Sequence, residues 1–126
     1  MAKMKVLLVD DEPDFQKIMG VHIKGWGYGL VIASSGKEGV AAVKDEKPDV
    51  VILDYVMPDM DGIAALKMIR KIDSKIPVIM FTANPDIKSI KGSKKLGVAA
   101  YVPKFCLYTN MPSQLKEELE KIERAS

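Results

Sequence analysis

The chain has 126 residues, nearly half of them hydrophobic, which is the length of one domain with enough apolar side chain for a core and too much for disorder. Nineteen Lys and Arg against seventeen Asp and Glu leave a formal charge of +2, which argues against nucleic acid or an anionic membrane as the main partner. The single cysteine, Cys106, excludes an internal disulfide, and no apolar stretch approaches the roughly 20 residues that a membrane-spanning helix needs.

The first element follows a short start, Met-Ala-Lys-Met-Lys, that carries no signal-peptide pattern, so a soluble cytoplasmic protein is expected. Val6-Leu7-Leu8-Val9 reads as a strand and ends on Asp10-Asp11. Pro13 then suits the first turn of a helix, in which Phe15, Ile18, Met19, His22, Ile23 and Trp26 form one stripe and the glycines at 25, 27 and 29 end it. A second strand covers Leu30 to Ala33, and Ser34 or Ser35 can cap a helix from about Gly36 to Asp45 with Val40 and Val43 inward. Pro48 stops that helix, and the third strand, Val50-Val51-Ile52-Leu53, ends on Asp54. Asp61 can cap a third helix in which Ile63, Leu66, Ile69 and Ile72 recur at helical spacing. The fourth strand, Val78 to Phe81, is followed by Thr82. A fourth helix is expected from near Pro85, weakened by its Gly92-Ser93 pair. The fifth strand, Val98 to Val102, leads through Pro103 to Lys104, and a last helix from near Pro112 presents Leu115, Leu119 and Ile122.

The strands show continuous apolarity rather than alternation, as expected when helices cover both faces of a parallel sheet. The expected fold class is α/β, a (βα)5 doubly wound parallel sheet of five strands in the flavodoxin-like order 2-1-3-4-5. That order puts the first strand beside the third. Asp10, Asp11, Asp54, Thr82 and Lys104 then share the carboxyl edge, where open α/β sheets bind ligands. Three carboxylates in one crevice repel one another and call for a cation, with Lys104 supplying one charge and a hard divalent ion such as Mg2+ the rest. Asp54, the middle member, is the candidate nucleophile for phosphoryl transfer, and the Lys104 ammonium and Thr82 hydroxyl can each take a phosphoryl oxygen.

The residues carry a family resemblance. Val-Asp-Asp-Glu-Pro at 9–13, Asp-Val-Val-Ile-Leu-Asp-Tyr-Val-Met-Pro-Asp-Met-Asp-Gly at 49–62, Pro-Val-Ile-Met-Phe-Thr-Ala at 77–83 and Gly-Val-Ala-Ala-Tyr-Val-Pro-Lys at 97–104 resemble, in order and nearly end to end, a response-regulator receiver domain of two-component signalling. The likeness is to the single-domain, chemotaxis-regulator-like members, with 1–126 as the receiver domain. It implies that Asp54 is the phosphoacceptor, that Asp10, Asp11, Asp54 and the Val56 backbone carbonyl hold Mg2+, and that Thr82 and Lys104 bind the phosphoryl oxygens. Tyr101 matches the switch aromatic. Val56 and Asn84 match the positions linked to dephosphorylation rate, and an apolar Val56 points to a persistent phosphoryl state. The phosphoryl donor implied is a histidine kinase or histidine phosphotransfer protein, docking near the first helix. The output surface implied is the fourth helix, fifth strand and fifth helix, meeting a downstream protein.

One departure stands out: family members usually carry Pro directly after the lysine, whereas here Pro103 precedes Lys104 and Phe105 follows. Competing readings fit less well. A haloacid-dehalogenase-type phosphatase needs Asp-x-Asp after the first strand, not adjacent Asp10-Asp11. A flavodoxin-like FMN carrier needs a Ser, Thr and Gly-rich loop there rather than Asp-Asp-Glu. A phosphorylation-independent binding module on the same fold is the remaining alternative. The reading is therefore of a signalling module rather than an enzyme.

Overall fold

The computed structural model describes residues 4–82, 87–103 and 111–125. Strands and helices alternate: β1 (Lys5–Val9), α1 (Pro13–Gly25), β2 (Gly29–Ala33), α2 (Gly36–Glu46), β3 (Val50–Asp54), α3 (Gly62–Ile72), β4 (Val78–Thr82), α4 (Ile87–Lys95), β5 (Ala100–Pro103) and α5 (Met111–Ala125). The strands form one parallel sheet in the order β2-β1-β3-β4-β5. The expected (βα)5 doubly wound architecture is thus the observed one.

The sheet separates two apolar layers, and alternate residues of each strand feed opposite layers. Val6, Leu8, Val50, Ile52, Ile79, Phe81 and Val102 meet Phe15, Met19 and Ile23 of α1 and Leu115 and Leu119 of α5. Leu7, Val9, Val51, Leu53, Val78 and Met80 meet Val43 of α2 and Ala65, Leu66 and Ile69 of α3. Every residue of β3 is buried, which accounts for its unbroken apolar run.

Two apolar stripes are narrower than their spacing predicts. Ile18 of α1 is 58% exposed, because the buried line runs through Phe15, Met19 and Ile23 at four-residue steps and Ile18 falls to its side. Ile72 of α3 is 43% exposed. Nine residues are about two and a half helical turns, so Ile63 and Ile72 flank opposite sides of the buried Leu66 and Ile69. In α4, the Gly92-Ser93 pair has a part in packing: Ser93 is buried, and a Cβ on Gly92 would come within 3.2 Å of the Ile63 side chain of α3. The start of α4 near Pro85 lies outside the described residues.

Arg70 of α3 fastens the edge of the sheet where strands begin. Its Nε donates to the Leu96 carbonyl at 2.8 Å, Nη1 to Ile76 at 2.5 Å and Nη2 to Gly97 at 3.1 Å. These bonds join the end of α4 to the turn before β4. Burial pushes the guanidinium below its ordinary pKa, with the nearby Asp73 opposing.

Candidate functional site

Strands β1 and β3 pair in register as far as Val9 and Leu53, so the residues that follow, Asp10 and Asp54, leave the sheet side by side. Both follow the strand alternation onto the layer of α1 and α5. Asp10 is fully buried and Asp54 is 3% exposed. The Asp10 amide donates to the Ala33 carbonyl and the Tyr55 amide to the Phe81 carbonyl, each at 3.0 Å, which carries the ladder one step past the strands. Phe81, the register partner of Asp54, lies 5.3 Å from the Phe15 ring, giving the site an aromatic base.

Carboxylate oxygens of Asp10, Glu12 and Asp54 lie within 4.8 Å of one another. Among the described residues Asp11 does not belong to this group; it is half-buried in the turn between Asp10 and Glu12. Asp10 Oδ1 accepts from the Glu12 amide at 2.8 Å, a local turn that brings the N-cap residue of α1 over the cleft. Glu12 was not among the residues expected from sequence, although the run Asp10-Asp11-Glu12 before Pro13 placed it there to be found.

The loop after β3 is shaped by its own contacts. The Val56 amide donates to Asp54 Oδ1 at 3.3 Å, while the Val56 side chain stands 60% exposed beside it. At the other end of the loop the Gly62 amide donates to the Tyr55 carbonyl at 2.6 Å. A Cβ on Gly62 would fall 2.7 Å from Tyr55 Cα and 2.8 Å from the Asp54 carbonyl oxygen, so only glycine permits this approach. Asp61 caps α3, accepting from the Ala64 amide at 2.8 Å, as its position predicted. Asp59 accepts from the amides of Gly36 and Lys37 at the start of α2, which holds its carboxyl below the ordinary 3.8.

Thr82 ends β4 opposite Pro103, one step past the pair formed by Asp54 and Phe81. Tyr101 of β5 pairs with Met80 and is half-buried against the layer of α2 and α3. Lys104 with its Pro103-Phe105 neighbours, and Asn84, lie outside the described residues. His22 is half-buried with its ring 5.8 Å from that of Trp26, apart from the carboxylates, in keeping with a structural part. A separate cavity of about 480 Å3, lined by Met4, Arg70, Ile76, Pro77, Ala99 and Ile122, opens at the opposite edge of the sheet, away from the acidic cleft.

Residues 6–116 match the family model described as the response regulator receiver domain. The chain belongs to that family. This receiver domain is 38% identical over 125 residues to "Probable transcriptional regulator ycf27" of Guillardia theta, covering 99% of this chain and 49% of that protein. It is 32% identical over 114 residues to "Transcriptional regulatory protein ZraR" of Escherichia coli K12, covering 90% of this chain and 26% of that one. The receiver domain thus spans half the length or less of both relatives. Among solved structures it is similar to the CheY-like receiver domain protein of Methanospirillum hungatei JF-1, with 26% identity, a TM-score of 0.85 and coverage of 98% and 99% of the two chains. It is similar to the same degree to chemotaxis protein CheY4 of Vibrio cholerae, with 27% identity, a TM-score of 0.85 and coverage of 96% and 99%. No helix among the described residues of the receiver domain is long and apolar enough to cross a membrane.

Proposed function

We propose that this receiver domain, as one unit over residues 1–126, accepts a phosphoryl group on Asp54 from a phosphohistidine of a histidine kinase or histidine phosphotransfer protein. The change of charge then alters its contact with a partner protein. The supporting observation is the gathering of Asp10, Glu12 and Asp54 within 4.8 Å at the carboxyl edge of the sheet, two of them buried. Like charges so close in a buried cleft are held ionised only beside a cation.

A set of hard carboxylate oxygens fits Mg2+, which takes one or two carboxylates, water and phosphate oxygens. Asp10, Asp11, Asp54 and the Val56 carbonyl are the proposed ligands, and Glu12 is added to them on its position. Mg2+, when bound, would neutralise charge on the phosphoryl oxygens. The receiver's own part is to aim Asp54: the Val56 amide donates to Oδ1 at 3.3 Å and orients the carboxylate, one oxygen of which forms the new bond to phosphorus. As that bond forms, the phosphorus–nitrogen bond to the donor breaks and its electron pair stays on the imidazole. Thr82 and Lys104 are proposed to hold the phosphoryl oxygens. Tyr101, half-buried in β5 against the layer of α2 and α3, is proposed to change its packing when Thr82 moves toward the phosphate. Val56 and Asn84 would tune hydrolysis.

The proposed output surface is α4, β5 and α5, acting by protein contact in the cytoplasm without direct nucleic-acid binding. The proposed role is that of a signalling module, not an enzyme turning over a small substrate.

Acetyl phosphate serves as a donor free of any partner protein. Single phosphorylation followed by intact mass across a Mg2+ titration is expected to need the cation, and Asp11→Asn and Glu12→Gln each to raise the half-saturating Mg2+. Wild-type phosphorylation at full rate in excess chelator contradicts the proposal.

A further inference from the structure

We infer that Asp59 is a positioning residue for the phosphorylation site, tying the loop that follows Asp54 to the first turn of α2. The inference rests on the phosphoacceptor reading above. Asp59 is exposed, five places along from Asp54, and touches none of the reacting groups.

The amides of an α-helix's first turn lack intrahelical partners. In α2, after the N-cap Ser35, these are Gly36, Lys37 and Glu38. Gly36 donates to Asp59 Oδ1 at 3.0 Å and Lys37 to Asp59 Oδ2 at 2.9 Å. Glu38 donates to the Ser35 hydroxyl at 3.1 Å, and the regular helical bonds begin with Gly39, which donates to the Ser35 carbonyl at 2.9 Å. Ser35 therefore serves one of the three with its side chain, and the other two depend on a residue 22 and 23 positions away in sequence. Both oxygens of Asp59 are used on adjacent amides, which fixes the carboxylate in direction as well as place. Met60 adds a packing contact to the same turn: a Cβ on Gly36 would lie 2.3 Å from Met60 Cγ.

The other side of that turn is fastened to the other half of the site. Gln16 Nε2 of α1 donates to the Ser34 hydroxyl at 3.0 Å and to the Asp10 carbonyl at 2.5 Å. Direct pairing of β1 with β3 ends at Val9 and Leu53, one residue short of the two aspartates. Beyond it, residues 34–37 act as a common anchor, held to Asp10 through Gln16 and to the Asp54 loop through Asp59. Removing the Asp59 tie leaves the loop held only by the 3.3 Å bond from Val56 to Asp54 and by the bond from Gly62 to Tyr55. The Val56 peptide is then less constrained relative to the Asp10 side.

The test compares wild type, Asp59→Ala, Asp59→Asn and Val43→Ala. Val43 lies buried in α2 away from the site and serves as a destabilised control. The readouts are thermal midpoint, backbone amide spectra without donor, and the rate of Mg2+-dependent phosphorylation by acetyl phosphate. Asp59→Ala is expected to phosphorylate about tenfold more slowly while still folded, and Asp59→Asn, which keeps one acceptor oxygen, about two- to threefold. The Val56 amide resonance is expected to move with those of Gly36 and Lys37 in Asp59→Ala and to stay in place in Val43→Ala, whose rate stays within about twofold of wild type. A Val56 amide unmoved in Asp59→Ala overturns the inference, as does an unchanged rate, or a rate in Val43→Ala that falls along with its stability. A wild type that takes no phosphoryl group counts against the phosphoacceptor reading instead, and the amide spectra still decide the tie.

Discussion

Replacing Gly62 by Ala inserts one methyl group where the start of α3 meets the peptide that follows Asp54. The new Cβ would lie 2.7 Å from Tyr55 Cα, 2.8 Å from the Asp54 carbonyl oxygen and 3.0 Å from Met80 Sδ. The sulfur end of Met80 can rotate away, but the two backbone atoms can move only if the loop moves. Overpacking of this kind costs about 1–3 kcal/mol. Ala in place of Gly in a helix returns about 0.5–1 kcal/mol. The net loss is then about 1–2 kcal/mol, or a fall in Tm of about 4–8 °C at about 4 °C per kcal/mol for a domain of this size. Moving the Asp54–Tyr55 peptide also lengthens the 2.6 Å bond from Gly62 to Tyr55 and disturbs the aim of Asp54, so phosphorylation slows along with the loss of stability. Thermal unfolding paired with acetyl phosphate kinetics reads both effects. Gly25→Ala is the comparison, because nothing lies within 4 Å of its added Cβ and it is expected to hold or gain stability. A Gly62→Ala protein with the stability and phosphorylation rate of wild type would refute the packing argument.

Other consequences are as specific. Arg70→Met removes three donors from carbonyls at the ends of two elements and is expected to cost about 2–4 kcal/mol in denaturant unfolding; a loss under about 0.5 kcal/mol contradicts the fastening role. Val56→Asn places a polar group beside Asp54 and is expected to shorten the phosphoryl lifetime several-fold, read by loss of the mass adduct after donor removal; a longer lifetime contradicts it. The Asp59 carboxyl is held below its ordinary 3.8 chiefly by the Lys37 and Gly36 amides. A folded pKa below the unfolded one gives stability that is present above the unfolded pKa and is lost as pH falls through the folded value. The Tm advantage of wild type over Asp59→Asn is therefore expected at neutral pH and to shrink below about pH 4; an advantage constant down to acid pH would place the effect elsewhere.

The strands were legible because helices cover both faces of the sheet, so β3 could be apolar at every position up to Asp54. Their order followed from crossover handedness, and with it the pairing of Asp10 and Asp54 at one edge. The local caps Ser35 and Asp61 were also legible, since a cap and its amide lie three residues apart. Features made by tertiary contact were not. Nothing near Asp59 marks it as the partner of a helix that begins 23 residues earlier. Nothing in α3 shows that Arg70 reaches three carbonyls in two other segments. Three-residue spacing drew Ile72 into the α3 stripe because it drifts around the helix by a fraction of a turn at each step. Glu12 joins Asp10 and Asp54 through a turn closed by its own amide, which the sequence shows only as a third acid after two others.

The central claim is that Asp54 forms the bond to phosphorus. Borohydride reduction converts an aspartyl phosphate to homoserine, which peptide mass mapping places in the sequence. After exposure to acetyl phosphate with Mg2+, homoserine is predicted at position 54 in wild type and at no position in Asp54→Asn. Homoserine at 10, 11 or another carboxylate in wild type, or a phosphoryl adduct that survives in Asp54→Asn, would contradict the account.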